Sequence, residues 1–405
     1  MFVKRLNGRL NRRIDRRNLL AAAAIAALAG CAVVPKAPTS APTPAPTPAP
    51  SQSELPVDAA RHSIALLVPV TGPNAGVGQS IANAANMALL DTAAKNLRVT
   101  TYDTSAGPAE AARRAVADGN QLILGPLLAD DIPTISAIAK AAKVPVISFS
   151  NDEQAASRDV FIMGNLPGQS VTRTVQYARA QGVSSFAALI PKGDYGDRTS
   201  SALLAAVRAG GGSVVALEPY DRSATSIASA ALRVKAKGGF DALLIADSGS
   251  LSARAATAFK GSAKAQAAGT APAVRLLGTE LWSGERELTS TPALAGAWFA
   301  TVSDQRFGQF SKSYRARFGA QPFRIATLGY DAVLLTLRVA RDWKPGSRFP
   351  ADALRDTKAF PGGFLGVDGA FRFTRTGLVE RALEVREVQT GTVKVISPAP
   401  VKFGE

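Results

Sequence analysis

The 405-residue chain holds one cysteine, Cys31, and one histidine, His62. A single cysteine excludes any disulfide within the chain, so an exported domain must fold on its apolar core alone. A single histidine, just ahead of the first apolar run, leaves no support for a histidine triad or a His-based acid–base pair. No close set of Cys, His, Asp and Glu has metal-ligand spacing. Gly76-Val77-Gly78 lacks the third glycine of a dinucleotide loop, and Asp103, Asp130 and Asp131 each have an ordinary strand-end or helix-start explanation. Neither catalysis nor a cofactor is expected. No apolar run is long enough to span a bilayer; Leu19 to Ala29 is the nearest approach. Acidic residues are scarce, 31 against 47 Lys and Arg, which gives a net charge of +16.

What is present falls into zones. Lys4, Arg5, Arg9, Arg12, Arg13, Arg16 and Arg17 precede the short apolar run, as in a secretory signal. Leu28-Ala29-Gly30-Cys31 resembles a bacterial lipobox, which implies cleavage before Cys31 and a diacylglyceryl group plus an N-acyl chain on it. Such double acylation anchors durably where one chain is marginal. By lipoprotein sorting rules, Ala32 implies the outer membrane. Asp15-Arg16-Arg17-Asn18-Leu19-Leu20 resembles a twin-arginine export signal, so two export routes stay open. Residues 1–31 are thus expected to be signal and lipobox, and residues 32–61 a tether. Its proline-rich core, Pro35 to Pro56, favours polyproline II with a reach on the order of 90 Å.

Removing seven signal-segment cations and Asp15 leaves about +10, dispersed rather than gathered in a nucleic-acid stripe. Anionic wall polymer or lipid headgroups suit an exported chain better, and no nucleic-acid partner is expected. The roughly 345 residues that follow exceed one ordinary core and fit two lobes.

Ser63 to Val70 is an apolar run closed by Thr71-Gly72-Pro73-Asn74, and a helical pattern follows it. That is the grammar of a central parallel strand. Strand–helix alternation repeats through Phe149, restarts at Ser185, and gives way after Ala370 to alternating strand-like segments. The expected fold class is therefore α/β, with parallel sheets in two three-layer lobes.

Leu67-Val68-Pro69-Val70-Thr71-Gly72-Pro73, Gly125-Pro126, Pro145-Val146-Ile147-Ser148-Phe149-Ser150, Gly193-Asp194-Tyr195-Gly196 and Tyr330-Asp331 carry a resemblance. From His62 to about Thr390 the chain resembles the type I periplasmic binding proteins of leucine, isoleucine and valine. The resemblance implies two lobes joined by crossing strands with a ligand clamped between them. The expected division is 62–182 with 303–345 in lobe 1, 183–302 with 346–390 in lobe 2, and a tail at 391–405. Gly125-Pro126-Leu127, Ser148-Phe149-Ser150-Asn151, the lipobox and the tether are also similar to the penicillin-binding protein activators. These are outer-membrane lipoproteins that stimulate bifunctional peptidoglycan synthases. The larger members carry a helical-repeat domain where this sequence has only the tether.

Ligands of parallel-sheet proteins bind beyond the carboxyl ends of the strands. That places Thr71, Gly72, Asn74, Gly125, Pro126, Ser148, Ser150 and Asn151 on one wall, and Asp194, Tyr195, Asp247, Ser248 and Glu280 on the other. In the amino-acid binders, first-wall hydroxyls and amides hold the ligand carboxylate and a second-wall acid pairs with its ammonium. The resemblance assigns those roles to Ser148 and Ser150, and to Glu280. Each has a structural alternative: tight turns for the glycines, backbone bonding for the serines, hinge packing for Tyr195, a solvated strand end for Glu280. Trp282 either stacks on a sugar or packs the hinge. Two functions follow. One is activation of a bifunctional peptidoglycan synthase by a lipid-anchored, non-catalytic protein that carries an amino-acid or wall-fragment ligand. The alternative is capture of an amino acid or small amide for an ABC importer.

Overall fold

The computed structural model describes residues 61–261 and 274–404, apart from Pro345, Thr357 and Ala359. The expected signal, the expected acylation site Cys31 and all of the expected tether but Arg61 lie outside them. Residues from Asp58 onward form one compact unit.

The first sheet follows from its apolar runs. Strand β1 (His62–Val68) has Ile64 to Val68 wholly buried. It pairs in parallel with β2 (Leu97–Asp103) and with β3 (Ile123–Leu124). β4 (Val146–Ser148) and β5 (Val160–Ile162) complete the order β2-β1-β3-β4-β5. Helices α1 (Ala75–Asp91), α2 (Pro108–Ala117) and α3 (Ile132–Ala141) connect these strands. Pro108 and Pro133 sit in first turns, where a missing N–H costs nothing.

The second sheet has the order β15-β14-β10-β9-β8-β6-β7. Its parallel part is β6 (Ser185–Pro191), β7 (Ser213–Tyr220), β8 (Ala242–Ile245), β9 (Arg275–Gly278) and β10 (Trp298–Thr301). β14 (Glu384–Gln389) runs antiparallel to β10, and β15 (Thr392–Ser397) antiparallel to β14. Helices α5 (Asp194–Ala209), α6 (Ala224–Lys237) and α7 (Gly249–Lys260) cover it. Ser223 caps α6 by accepting from Ser226 N at 3.2 Å. Both lobes are layered α/β units with mainly parallel sheets.

The partition between lobes differs from the expected one in three places. Helix α4 (Pro167–Ala180) packs Val171, Val175 and Ala178 into a second-lobe core with Phe186 and Leu203, although 62–182 were assigned to lobe 1. Conversely, Phe349, Leu354, Phe364, Phe371, Phe373 and Val379 pack into the first-lobe core. They belong to a small antiparallel sheet, β11 (Phe364–Gly366), β12 (Gly369–Phe373) and β13 (Val379–Arg381), and its approach. Ile162 N donates to Gly377 O at 2.8 Å, which ties this sheet to the edge of β5. Of 346–390, the stretch through β13 therefore packs with the first lobe, and β14 joins the second sheet. Last, the expected tail contains β15, an edge strand of the second sheet. The chain returns to the first lobe through the Phe307–Phe318 and Thr327–Val339 helices, whose Phe310, Tyr314, Leu328 and Val333 are buried there.

Candidate functional site

The carboxyl ends of β1, β3 and β4 carry the first expected wall. At the end of β1, Asp103 organises the turn: it accepts from Val70 N at 3.0 Å, Thr71 Oγ1 at 2.5 Å and Ser105 N at 2.9 Å. Burial alone would raise this carboxyl, but those hydrogen bonds override it and hold it at about 2. Thr71 is thus engaged within its own loop. Gly72 supplies a left-handed turn residue (φ 69°), and Asn74 precedes α1 without a side-chain cap bond. Gly125 has φ 101°, and a Cβ there would meet Leu67 O at 2.1 Å. Its role is close strand packing.

Ser148 is buried and its hydroxyl donates to Pro126 O at 3.0 Å while accepting from Ser150 N at 3.1 Å. Ser150 Oγ accepts from Asp152 N at 3.1 Å and keeps its own proton free to donate. The turn after β4 therefore uses Ser148 internally and presents Ser150 and Asn151.

On the second wall, Asp247 is buried and accepts from Tyr220 OH at 2.6 Å; Arg222 Nε lies 3.4 Å away. Ser248 N donates to Asp247 Oδ1 at 2.8 Å, just before α7. Trp282 is fully buried and donates from Nε1 to Asp247 O at 3.1 Å and Ser252 Oγ at 2.9 Å. Its ring lies on the bare face of Gly278, where a Cβ would come within 2.2 Å. Trp282 is core, not a stacking platform.

Glu280 follows β9. Its Oε1 accepts from Tyr195 OH at 3.1 Å, and that hydroxyl also lies 2.8 Å from Thr279 Oγ1. Burial pushes the Glu280 carboxyl up to about 7, against the lowering effect of the Tyr195 hydrogen bond. Burial, with the Glu280 charge beside it, keeps Tyr195 protonated.

One cavity of about 470 Å³ gathers residues of both walls. Ser150 and Asn151 line it from the first lobe and Glu280 from the second, with Leu127, Phe149 and Leu328 among its apolar surface. Thr71, Gly72, Asn74, Gly125, Ser148, Tyr195, Asp247 and Ser248 stand behind or outside this surface, and Asp194 lines a separate depression with Asp152 and Arg198. Sequence reasoning missed Asn165 and Arg324, which also line the cavity. Neither carried a local signal beyond being polar beside apolar runs. Glu280 Oε2, Asn165 Oδ1 and Arg324 Nε are buried polar atoms with no hydrogen-bond partner. Arg324 is otherwise held by Asp368, by Asp304 Oδ1 at 3.3 Å and over the Phe307 ring at 4.2 Å. Arg198 of α5 reaches across the lobes to Asp152 Oδ1 at 2.9 Å and Asn151 O at 3.1 Å.

Among the described residues, no group of three His, Cys, Asp or Glu side chains gathers where it could hold a metal ion. No described helix is long and apolar enough to cross a membrane.

A profile described as periplasmic binding protein matches residues 62–392. The chain belongs to the periplasmic binding protein family. Among solved structures, a putative branched-chain amino acid ABC transporter protein from Rhodospirillum rubrum is 23% identical, covers 83% of this chain and 100% of its own, and has a TM-score of 0.72. A branched chain amino acid ABC transporter periplasmic ligand-binding protein from Burkholderia xenovorans LB400 is 17% identical over 85% of this chain and 97% of its own, at 0.67. Full-length LpoA from Haemophilus influenzae is 18% identical over 84% of this chain but 59% of its own, at 0.64. At these identities the likeness is one of fold. A curated relative, an uncharacterized protein of Rickettsia prowazekii, is 32% identical over 142 residues, 35% of this chain and 38% of that one.

Proposed function

We propose that this periplasmic binding protein captures a small amino-acid-type solute between its lobes for an ABC importer. The observation that carries the reading is the convergence of Glu280, Asn165 and Arg324 on one cavity, each with an unpartnered buried polar atom. Buried polar groups are rarely left unpaired unless something else completes them. The Glu280 carboxylate suits an ammonium. Ser150 Oγ and the Arg324 guanidinium suit a carboxylate, and Phe149, Leu127 and Leu328 suit an apolar side chain. Closure of the lobes on the solute is the functional step, and it needs no bond chemistry from the chain. The family membership and the likeness to transporter binding proteins support this reading over the activator one.

Calorimetric titration of ligand-free protein with the twenty amino acids and small amides tests it. Saturable binding of an apolar amino acid is the expected result, and no heat from any of them in folded protein refutes it.

The second reading is a lipid-anchored activator of a bifunctional peptidoglycan synthase at the outer membrane. The likeness to LpoA favours it, together with the lipobox-like Leu28–Cys31 and the proline-rich 32–61 segment. Saturable binding of the folded domain to an immobilised synthase of the same organism, unaffected by amino acids, would establish it in place of the first.

A further inference from the structure

In a parallel α/β lobe, strand C-termini and helix N-termini share one end, and strand N-termini and helix C-termini share the other. The first lobe is strongly polarised between these two ends. Its cleft end carries Asp103, Asp130, Asp131, Asp152 and Glu153. Its distal end carries Lys95 and Arg98 at the start of β2, and Arg338, Arg341, Lys344 and Arg348 at and beyond the end of the Thr327–Val339 helix. All six cations are exposed, and none makes a salt bridge among the described residues. Lys143 and Arg158, also exposed, extend the same end beneath β4 and β5. Asp91, Asp118, Asp159, Asp342 and Asp352 share this end but are outnumbered.

Favourable pairing with helix C-termini accounts for Arg338, but not for Lys95, Arg98, Lys344 or Arg348, which lie outside helices. Lys95, Arg338 and Arg341 line one shallow depression of about 610 Å³. The second lobe uses cations differently at its corresponding end. There Arg208, Lys235 and Lys237 lie in the last turns of α5 and α6, where the helix C-terminus accounts for them, and Arg179 donates to Gly210 O and Val183 O.

The start of the folded unit is located at this basic end. His62 N donates to Asn96 O at 2.8 Å, and the His62 ring stacks on Trp343 at 3.8 Å, between Arg341 and Lys344 in sequence. The chain that precedes Arg61 is therefore joined to the unit beside Lys95 and Arg341.

We propose that the distal end of the first lobe docks onto an anionic lipid surface, with Lys95, Arg98, Arg338, Arg341, Lys344 and Arg348 facing the headgroups. Charge complementarity selects this occupant, and the junction with the N-terminal segment adds to it. The acidic cleft end is turned away from such a surface and stays open to solute. The interaction is electrostatic and shallow, so each cation near the surface strengthens it about fivefold and added salt weakens it.

The test is cosedimentation of residues 58–405, a compact unit by itself, with vesicles containing phosphatidylglycerol or phosphatidylcholine alone. Binding is expected only with phosphatidylglycerol, falling as salt is raised. Lys95→Gln, Arg341→Gln and Lys344→Gln together should weaken it on the order of 100-fold, with an unchanged unfolding midpoint. Arg208→Gln, Lys235→Gln and Arg254→Gln together remove the same charge from exposed positions of the second lobe and should leave binding as it was. Equal losses from both triple variants, absence of phosphatidylglycerol-dependent binding, or capture by isolated peptidoglycan without capture by vesicles would each overturn the proposal.

Discussion

Replacing Glu280 by Gln isolates the most perturbed group of the cavity. The side chain keeps its shape, and an amide oxygen still accepts from Tyr195 OH, but the charge is gone. In the folded protein the carboxyl rises from an ordinary 4.5 to about 7, chiefly because burial penalises the anion. A carboxyl raised in the folded state binds its proton more tightly there than in the unfolded chain. Its neutral form therefore carries no penalty below pH 4.5, and the folded state loses stability as pH climbs from 4.5 to about 7. The full effect at pH 8 is up to about 3 kcal/mol, at about 1.4 kcal/mol per pH unit. Glu280→Gln should thus be more stable than the parent at pH 8 by up to this amount and no more stable at pH 4. Urea unfolding of solute-free protein across that range measures it. The difference between the two proteins matters, since Asp331 is also raised, by its own burial and then by the charge of Asp368 beside it. Parallel stability profiles for parent and variant would refute the reasoning.

Other outcomes follow from the same geometry. Arg198→Ala removes the partly buried 2.9 Å tie to Asp152 across the lobes and should weaken solute binding about tenfold, with a larger radius of gyration in solution scattering. Asp103→Ala leaves Val70 N, Thr71 Oγ1 and Ser105 N without their acceptor. It should cost about 2 kcal/mol in urea unfolding and leave solute affinity unchanged, because no residue of that turn lines the cavity. Since Asp103 is held at about 2, its contribution is present above the ordinary 3.8 and is lost as pH falls towards 2. Gly278→Ala sets a methyl within 2.2 Å of the Trp282 ring and should lower stability by about 1–3 kcal/mol, read as a lower Tm.

The layered fold was legible because each parallel strand is a short apolar run closed by a turn. β1 (His62–Val68) lies within two residues of the Ser63 to Val70 run at each end, since Thr71-Gly72-Pro73-Asn74 closes that run plainly. Lobe membership was less legible. The apolar side of α4 reads the same whichever sheet it covers, and Phe349 to Phe373 carry hydrophobicity without direction. Both are long-range packing choices that a local pattern does not encode. The cavity was partly legible: Ser150, Asn151 and Glu280 stand at strand ends, where the topology rule puts ligand contacts. Ser148 stands at the same kind of position but turns its hydroxyl to Pro126 O, a choice set by the local turn. Arg324 reaches the cavity only because the chain returns to the first lobe after β10, and its partner Asp368 lies 44 residues further on.

The most direct test of the central claim compares the affinity of the solute-free protein for an apolar amino acid, its N-acetyl derivative and its amide at pH 8. The account predicts that the free amino acid binds, that N-acetylation abolishes binding by removing the ammonium that Glu280 meets, and that Glu280→Gln weakens it sharply. Equal binding of the free and N-acetylated forms, or full affinity in Glu280→Gln, would contradict it.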